Sequence, residues 1–439
     1  MKLTYGPDRV KWSCFLLMLM IISGLLFPPL LFVAFALNAA LLLTWSTRES
    51  FFLLFFIMPF GLIYKYPGVS TSFMTLVELL VIVLAFCRRG KIRGSVLFTL
   101  TLICLYFLLR MNTYYMALPK LLSTYLLLEV FIQNHDKEDD ARYVNYFIAG
   151  IITSSILGMF KENIPQLLAY YDDINYNYID GVETLRFSGL FDDPNYFSIA
   201  LLSAMIMLVF LKRYRNYPVG QFYLYFLTLA AMGLLTYSKS FILIFAAVLL
   251  LEIVLNLNGR RKWLIVLEIL AIIVVTIYVF TGNSELFNMI FSRFDDNQGL
   301  TTGRDVIWEK YWTVINSKGS YFWIGLGLDA PYVGKASHSI YIEMIYYSGV
   351  VGLVLFFVGW VVMLFSQHKN RLRIKNLTLL VTVLVMYGFL CGFLNYAMPF
   401  YMIFCWMLMD MDFKEKSNAV TEKDRANTGN VAVRLSTNS

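Results

Sequence analysis

Residues 195–215 read NYFSIALLSAMIMLVFLKRYR, an unbroken apolar run that ends in a basic cluster. Its apolar side chains are continuous and do not alternate, so it reads as a helix apolar all round and not as a strand of a barrel. At about 1.5 Å per residue such a helix nearly crosses the roughly 30 Å of hydrocarbon in a bilayer, where its own hydrogen bonds satisfy its backbone.

Runs of the same kind recur along the chain, near 12–27, 30–45, 50–63, 71–87, 95–110, 117–134, 144–160, 219–236, 240–257, 264–280, 339–366, 377–393 and 396–409. The early ones are interrupted by Pro28, Pro29 and Pro59, so some are expected to merge or to re-enter the membrane. With 59% hydrophobic and 15% charged residues and a mean hydropathy of +0.65, the composition excludes a soluble globular domain. The expected fold is all-α, a polytopic membrane protein with about 12–14 transmembrane helices and one long extracytoplasmic loop.

The basic residues orient it. With the N-terminus in the cytoplasm, Arg88-Arg89-Gly90-Lys91-Ile92-Arg93, Lys212-Arg213-Tyr214-Arg215, Arg260-Arg261-Lys262 and Lys369 to Lys375 all fall on one side, the positive-inside pattern. The net charge of +7 therefore reports topology, and no nucleic-acid partner is expected. The organisation read from this is a membrane region over 1–281 with a smaller extracytoplasmic loop at 161–193, a long extracytoplasmic loop over 282–338, C-terminal membrane helices over 339–409, and a polar cytoplasmic tail over 410–439 that reads as disordered. Cys14, Cys87, Cys104, Cys391 and Cys405 lie in or beside apolar runs without Cys-x-x-Cys spacing, and neither a disulfide nor a metal site is expected.

Two polar segments carry the candidate chemistry. The first holds Tyr170-Tyr171-Asp172-Asp173, Asp180, Glu183 and Arg186, and ends in Gly189-Leu190-Phe191-Asp192-Asp193-Pro194-Asn195. Its end reads as a helix start, with Asp193 as N-cap and Pro194 at the first helical position. The same start favours an anion, which Arg186 can share. Tyrosines and carboxylates suit sugar binding, although interfacial tyrosines are common in membrane proteins.

The second segment holds Thr301-Thr302-Gly303-Arg304, Trp308, Gly325-Leu326-Gly327 and His338 between two serines. Val306, Ile307, Tyr311, Val314 and Ile315 predict an amphipathic helix from near Arg304, lying against the membrane surface. The Gly-Leu-Gly reads as a tight turn, since no strand or further glycine makes it a nucleotide loop. His338 is either merely interfacial or a general base or phosphate ligand at a helix entrance. Lys239, in Ser238-Lys239-Ser240, either snorkels or places a cation at the same surface. Glu78, Glu129, Glu268 and Glu343 lie in apolar runs, where a carboxylate faces a cavity or a partner; Glu343, about a turn beyond His338, is the one expected to join the site.

The order of these motifs, closing with His338-Ser339-Ile340-Tyr341 and Gly349-Val350-Val351-Gly352, resembles the O-antigen polymerase and ligase superfamily over roughly residues 186–365. The resemblance implies a polytopic glycosyltransferase of the bacterial cytoplasmic membrane with its site facing outside. Such enzymes move a glycan from an undecaprenyl-diphosphate-linked oligosaccharide to an acceptor glycan, in contact with membrane lipid and without metal or other cofactor. By motif it implies His338 and Arg304 as catalytic residues, with Lys239, Arg186, Asp193, Asn195 and Glu343 binding substrate or diphosphate. Lys239 stands where many members have Arg, offering a point charge in place of a planar fork. The favoured expectation is a polymerase of surface-polysaccharide repeat units, with a chain-length regulator as a further partner. The alternatives are a ligase moving polymer onto lipid A-core, a transporter or flippase of lipid-linked sugars, and a scaffold subunit of an export complex.

Overall fold

The computed structural model describes residues 7–69, 71–89, 91–110, 117–171, 176–179, 182–256, 304–331, 333–334, 337–365 and 396–411. Expected spans 264–280 and 377–393, the first part of the long loop, Glu268, Cys391 and the tail lie outside the described residues.

The described chain is a bundle of helices. In order these are α1 (Pro7–Leu26), α2 (Leu30–Thr44), α3 (Thr47–Ile57), α4 (Phe73–Arg89), α5 (Gly94–Leu108), α6 (Ala117–Asn134), α7 (Asp140–Gly158), α8 (Pro165–Leu168), α9 (Pro194–Tyr214), α10 (Val219–Leu234) and α11 (Lys239–Asn256). Then follow α12 (Arg304–Asn316), α13 (Gly319–Ile324), α14 (Ile340–Phe365) and α15 (Met398–Asp410). Pro28 and Pro29 separate α1 from α2, and Pro59 lies in a 3₁₀ turn that closes α3. Among the described residues three helices are long and apolar enough to span a membrane, Arg9–Leu26, Pro194–Tyr214 and Ile340–Met363, and four shorter helices are apolar too. The fold is an all-α polytopic membrane protein.

Helix α9 is the hub. Of its spanning window 89% is buried inside the protein, against 33% for α1 and 44% for α14; α7, α10, α11 and α15 pack around it. The outer helices keep apolar stripes on their free faces. Val351, Val354, Val358 and Val361 on α14 recur at helical spacing and are all exposed, a face matched to hydrocarbon.

Among the described residues, the basic segments Arg88 to Arg93 and Lys212 to Arg215 gather at one end of the bundle. There Arg88 donates to the Leu42 and Leu43 carbonyls at 2.6 and 3.0 Å, Arg48 pairs with Asp136 and Asp139, and Asp140 takes both His135 at 2.6 Å and Arg215 at 3.0 Å. Lys212 on α9 reaches Glu252 on α11 at 2.6 Å. Glu129, wholly buried on α6, accepts from Arg93 Nε at 2.8 and 3.0 Å. One of the four carboxylates in apolar runs is thus held in an ion pair, where its charge is balanced and its oxygens are hydrogen-bonded.

The structure departs from a purely helical reading at one place. Tyr176–Ile179 and Val182–Leu185 pair antiparallel as β1 and β2, with Tyr176 opposite Leu185 and Ile179 opposite Val182. The local sequence favours it: Tyr, Ile, Val and Thr flank Asp180-Gly181, a strong two-residue hairpin signal.

Helix α14, expected as one continuous span, is broken inside at Gly349 (φ 66°, ψ −178°). The break leaves carbonyls of the preceding turn without helical partners, and the Gly325-Leu326-Gly327 segment supplies them. Leu326 N donates to Tyr346 O at 2.8 Å and Gly327 N to Tyr347 O at 2.9 Å, while the Tyr106 hydroxyl donates to Ser348 O. Gly325 itself has φ 70°. Where a tight turn is expected at Gly-Leu-Gly the chain bends at Leu326, the hydrogen-bonded turn following at Leu328-Asp329, and the amides of Leu326 and Gly327 serve the break in α14. Irregular backbone at membrane depth is tolerated where protein covers it in this way.

Candidate functional site

At the end of the bundle opposite the basic loops, the starts of four helices meet. Asp193 caps α9 as its sequence predicts: its backbone is extended, its Oδ1 accepts from Asn195 N at 2.6 Å, and Pro194 follows. Asp193→Ala is expected to lower stability by about 1 kcal/mol, read as a drop in thermal midpoint in detergent.

The Asn195 side chain ties α9 to α11. Its Oδ1 accepts from Ser238 Oγ at 2.9 Å, and Ser238 Oγ in turn accepts from Phe241 N at 3.3 Å, capping α11 one residue before Lys239. Arg186 Nε donates to Thr236 O at 3.2 Å and Phe187 N to Leu235 O at 3.1 Å, so the chain entering α9 is strapped along the turn that enters α11. Lys239 is buried and does not reach outward as a snorkelling lysine would.

The start of α14 is held as tightly. Ser337 and Ser339 are wholly buried; Ser337 Oγ donates to Ser339 O at 3.0 Å and accepts from Ser339 N at 3.1 Å. Trp308, one turn into α12, donates its Nε1–H to Ser337 O at 2.9 Å. Between these anchors His338 adopts φ 50°, a left-handed conformation that histidine tolerates better than most side chains. Its ring stands 6.1 Å from that of Tyr196 on α9.

Arg304 opens α12, and the charges of Asp193 and Tyr196 act on its guanidinium. Burial pushes its pKa down from the ordinary value while those two neighbours oppose the shift; a guanidinium keeps its proton regardless. The predicted helix from Arg304 is present as α12, but it packs on α13 and α14, with Tyr311 and Ile315 buried and the Tyr311 ring 4.9 Å from Tyr346. Val306, expected on the apolar face, is exposed.

These contacts place His338, Arg304, Asp193, Asn195, Arg186 and the turn carrying Lys239 in one neighbourhood. Glu343 is buried one turn into α14, its amide bonded to Ser339 O at 3.0 Å. Sequence reasoning passed over Tyr196, which lies between Arg304 and His338; its only signal was adjacency to Asn195. Chemically the neighbourhood combines helix N-termini and basic side chains suited to a phosphate group with a histidine able to move a proton.

Fold and geometry together define a polytopic α-helical membrane protein in which helix N-termini, basic side chains and a histidine meet at one end of the described bundle. Residues 224–357 match the family model described as O-antigen ligase. The match supports the O-antigen polymerase and ligase superfamily and, with it, a membrane enzyme of polysaccharide biosynthesis. It spans Lys239, Arg304, His338 and Glu343, while Arg186, Asp193 and Asn195 precede it. No curated protein matches the chain.

Proposed function

We propose that the protein polymerises lipid-linked repeat units of a surface polysaccharide on the outer face of the cytoplasmic membrane. The observation that carries this reading is the convergence of Arg304 and the entrance of α11, which bears Lys239, on the Asp193 cap, with His338 beside them at Tyr196.

In the reaction, an acceptor hydroxyl attacks the anomeric carbon of the donor sugar. The bond from that carbon to the diphosphate oxygen breaks, and undecaprenyl diphosphate leaves with the bonding pair. Arg304, Lys239 and Arg186 stabilise the charge on the leaving group, replacing the divalent cation many sugar transferases use. His338 takes the hydroxyl proton or orients the diphosphate, and a single displacement inverts the anomeric centre. Residues 161–193 and 282–338 face the outside, and the basic loops face the cytoplasm.

The test uses purified protein in detergent with undecaprenyl-diphosphate-linked repeat units and EDTA, following chain length on a gel. A ladder is the expected result. The description of the matching family favours a second reading, transfer of finished polymer to lipid A-core. A single shifted band with that acceptor, and no ladder without it, selects the ligase. Neither product from an active donor counts against both.

A further inference from the structure

A second set of polar side chains is buried beside this site. Lys161 follows α7, Tyr171 follows α8, Asp192 precedes the α9 cap, Glu78 lies on α4 and Tyr396 stands just before α15. Lys161 is only 4% exposed, and its ammonium sits 3.3 Å from the centre of the Tyr171 ring. Among the described residues that ring is its close partner, with the charges of Asp192 and Glu162 acting from nearby. Glu78 is wholly buried, and neither of its carboxylate oxygens has a hydrogen-bond partner among the described residues. The Ser123 hydroxyl, which donates to Lys120 O at 2.9 Å, and the Lys120 charge act on Glu78 from nearby. The Tyr171 hydroxyl is likewise buried and unbonded. The set is contiguous, because Tyr396 feels the charges of both Asp192 and Glu78, and Tyr171 those of Tyr396 and Asp192.

The chemistry of the set selects its ligand. An ammonium offers only donors, a carboxylate only acceptors, and a buried group of either kind without a partner is costly. A simple anion would suit Lys161 but be repelled by Asp192, whose charge acts on the same ammonium; a simple cation would meet the reverse. A hydroxylated sugar ring supplies donors and acceptors together and has an apolar face for the aromatic rings. We propose that Glu78, Lys161, Tyr171, Asp192 and Tyr396 form a carbohydrate subsite that seats the acceptor glycan next to the diphosphate-directed cluster. This rests on the glycan-transfer reading above and adds to it where the acceptor binds. Burial lowers the Lys161 pKa to about 8, with Asp192 and Glu162 opposing the shift. Its ammonium therefore loses charge as pH rises through that value, and acceptor binding weakens on the alkaline side.

The deciding experiment measures transfer at saturating donor with a synthetic single-repeat acceptor, comparing wild type with Glu78→Gln, Lys161→Met and Tyr171→Phe. The expected result is an acceptor KM raised about 10-fold or more for the first two, as for a lost hydrogen bond to a charged group, with donor KM unchanged. Tyr171→Phe keeps the ring and tests the hydroxyl should the others fold poorly. Unchanged acceptor KM in folded variants overturns the subsite. If wild type transfers nothing, the transfer reading falls, and saturation-transfer NMR with the same glycan still decides the subsite. A signal with wild type that vanishes in Glu78→Gln supports it; no signal with wild type overturns it.

Discussion

Replacing His338 with asparagine is expected to slow glycan transfer by about 10²–10⁴-fold, the range over which a positioned acid or base contributes. Asparagine is chosen on backbone grounds. His338 has φ 50° between two anchored serines, and asparagine accepts that conformation where alanine adds strain of about 1–2 kcal/mol. The variant therefore removes the imidazole without disturbing the Trp308 bond to Ser337 O. A fall in kcat with donor KM intact assigns proton transfer to His338; a raised donor KM assigns diphosphate binding. Transfer within threefold of wild type in a folded protein would dismiss both roles.

Gly349→Ala is expected to cost several kcal/mol of stability, enough to prevent recovery of folded protein. Its φ of 66° disfavours any side chain. A Cβ there would also lie 2.2 Å from Trp323 O and 2.4 Å from Ile324 N, both backbone atoms that cannot rotate aside. The strain of the positive φ adds to overpacking of about 1–3 kcal/mol. Because Leu326 and Gly327 donate to the carbonyls just before the break, damage would spread to the segment leading to His338. A Gly349→Ala protein with a wild-type thermal midpoint would show that the break is incidental.

The membrane class was legible because an apolar run longer than any strand needs carries its own reading, and the hub helix was the clearest such run. The α9 cap and the start of α12 were legible too, since capping chemistry and 3.6-residue spacing act within a few residues. What escaped was long-range. Gly327 and Gly349 appear in sequence as two unrelated glycines, and only the fold brings the amides of Leu326 and Gly327 to the carbonyls left by the break at Gly349. Tyr196 and Lys161 gain meaning from neighbours on other helices. The β1–β2 hairpin is different, since its Asp-Gly signal was local and was passed over in favour of the tyrosine and acid content around it.

The ion pair between Arg93 and Glu129 constrains how the chain is made. Arg93 stands immediately before α5 and Glu129 lies within α6, so the acid is synthesised after its counter-ion and one helix later. Released alone into lipid, α6 would carry an ionised carboxylate costing about 2.5 kcal/mol or more. Released together with α5 as a helical hairpin, it enters already neutralised. Biogenesis would then proceed by paired exit of these two helices from the insertion machinery, and a ribosome stalled between them would hold α5 at the exit until its partner arrives.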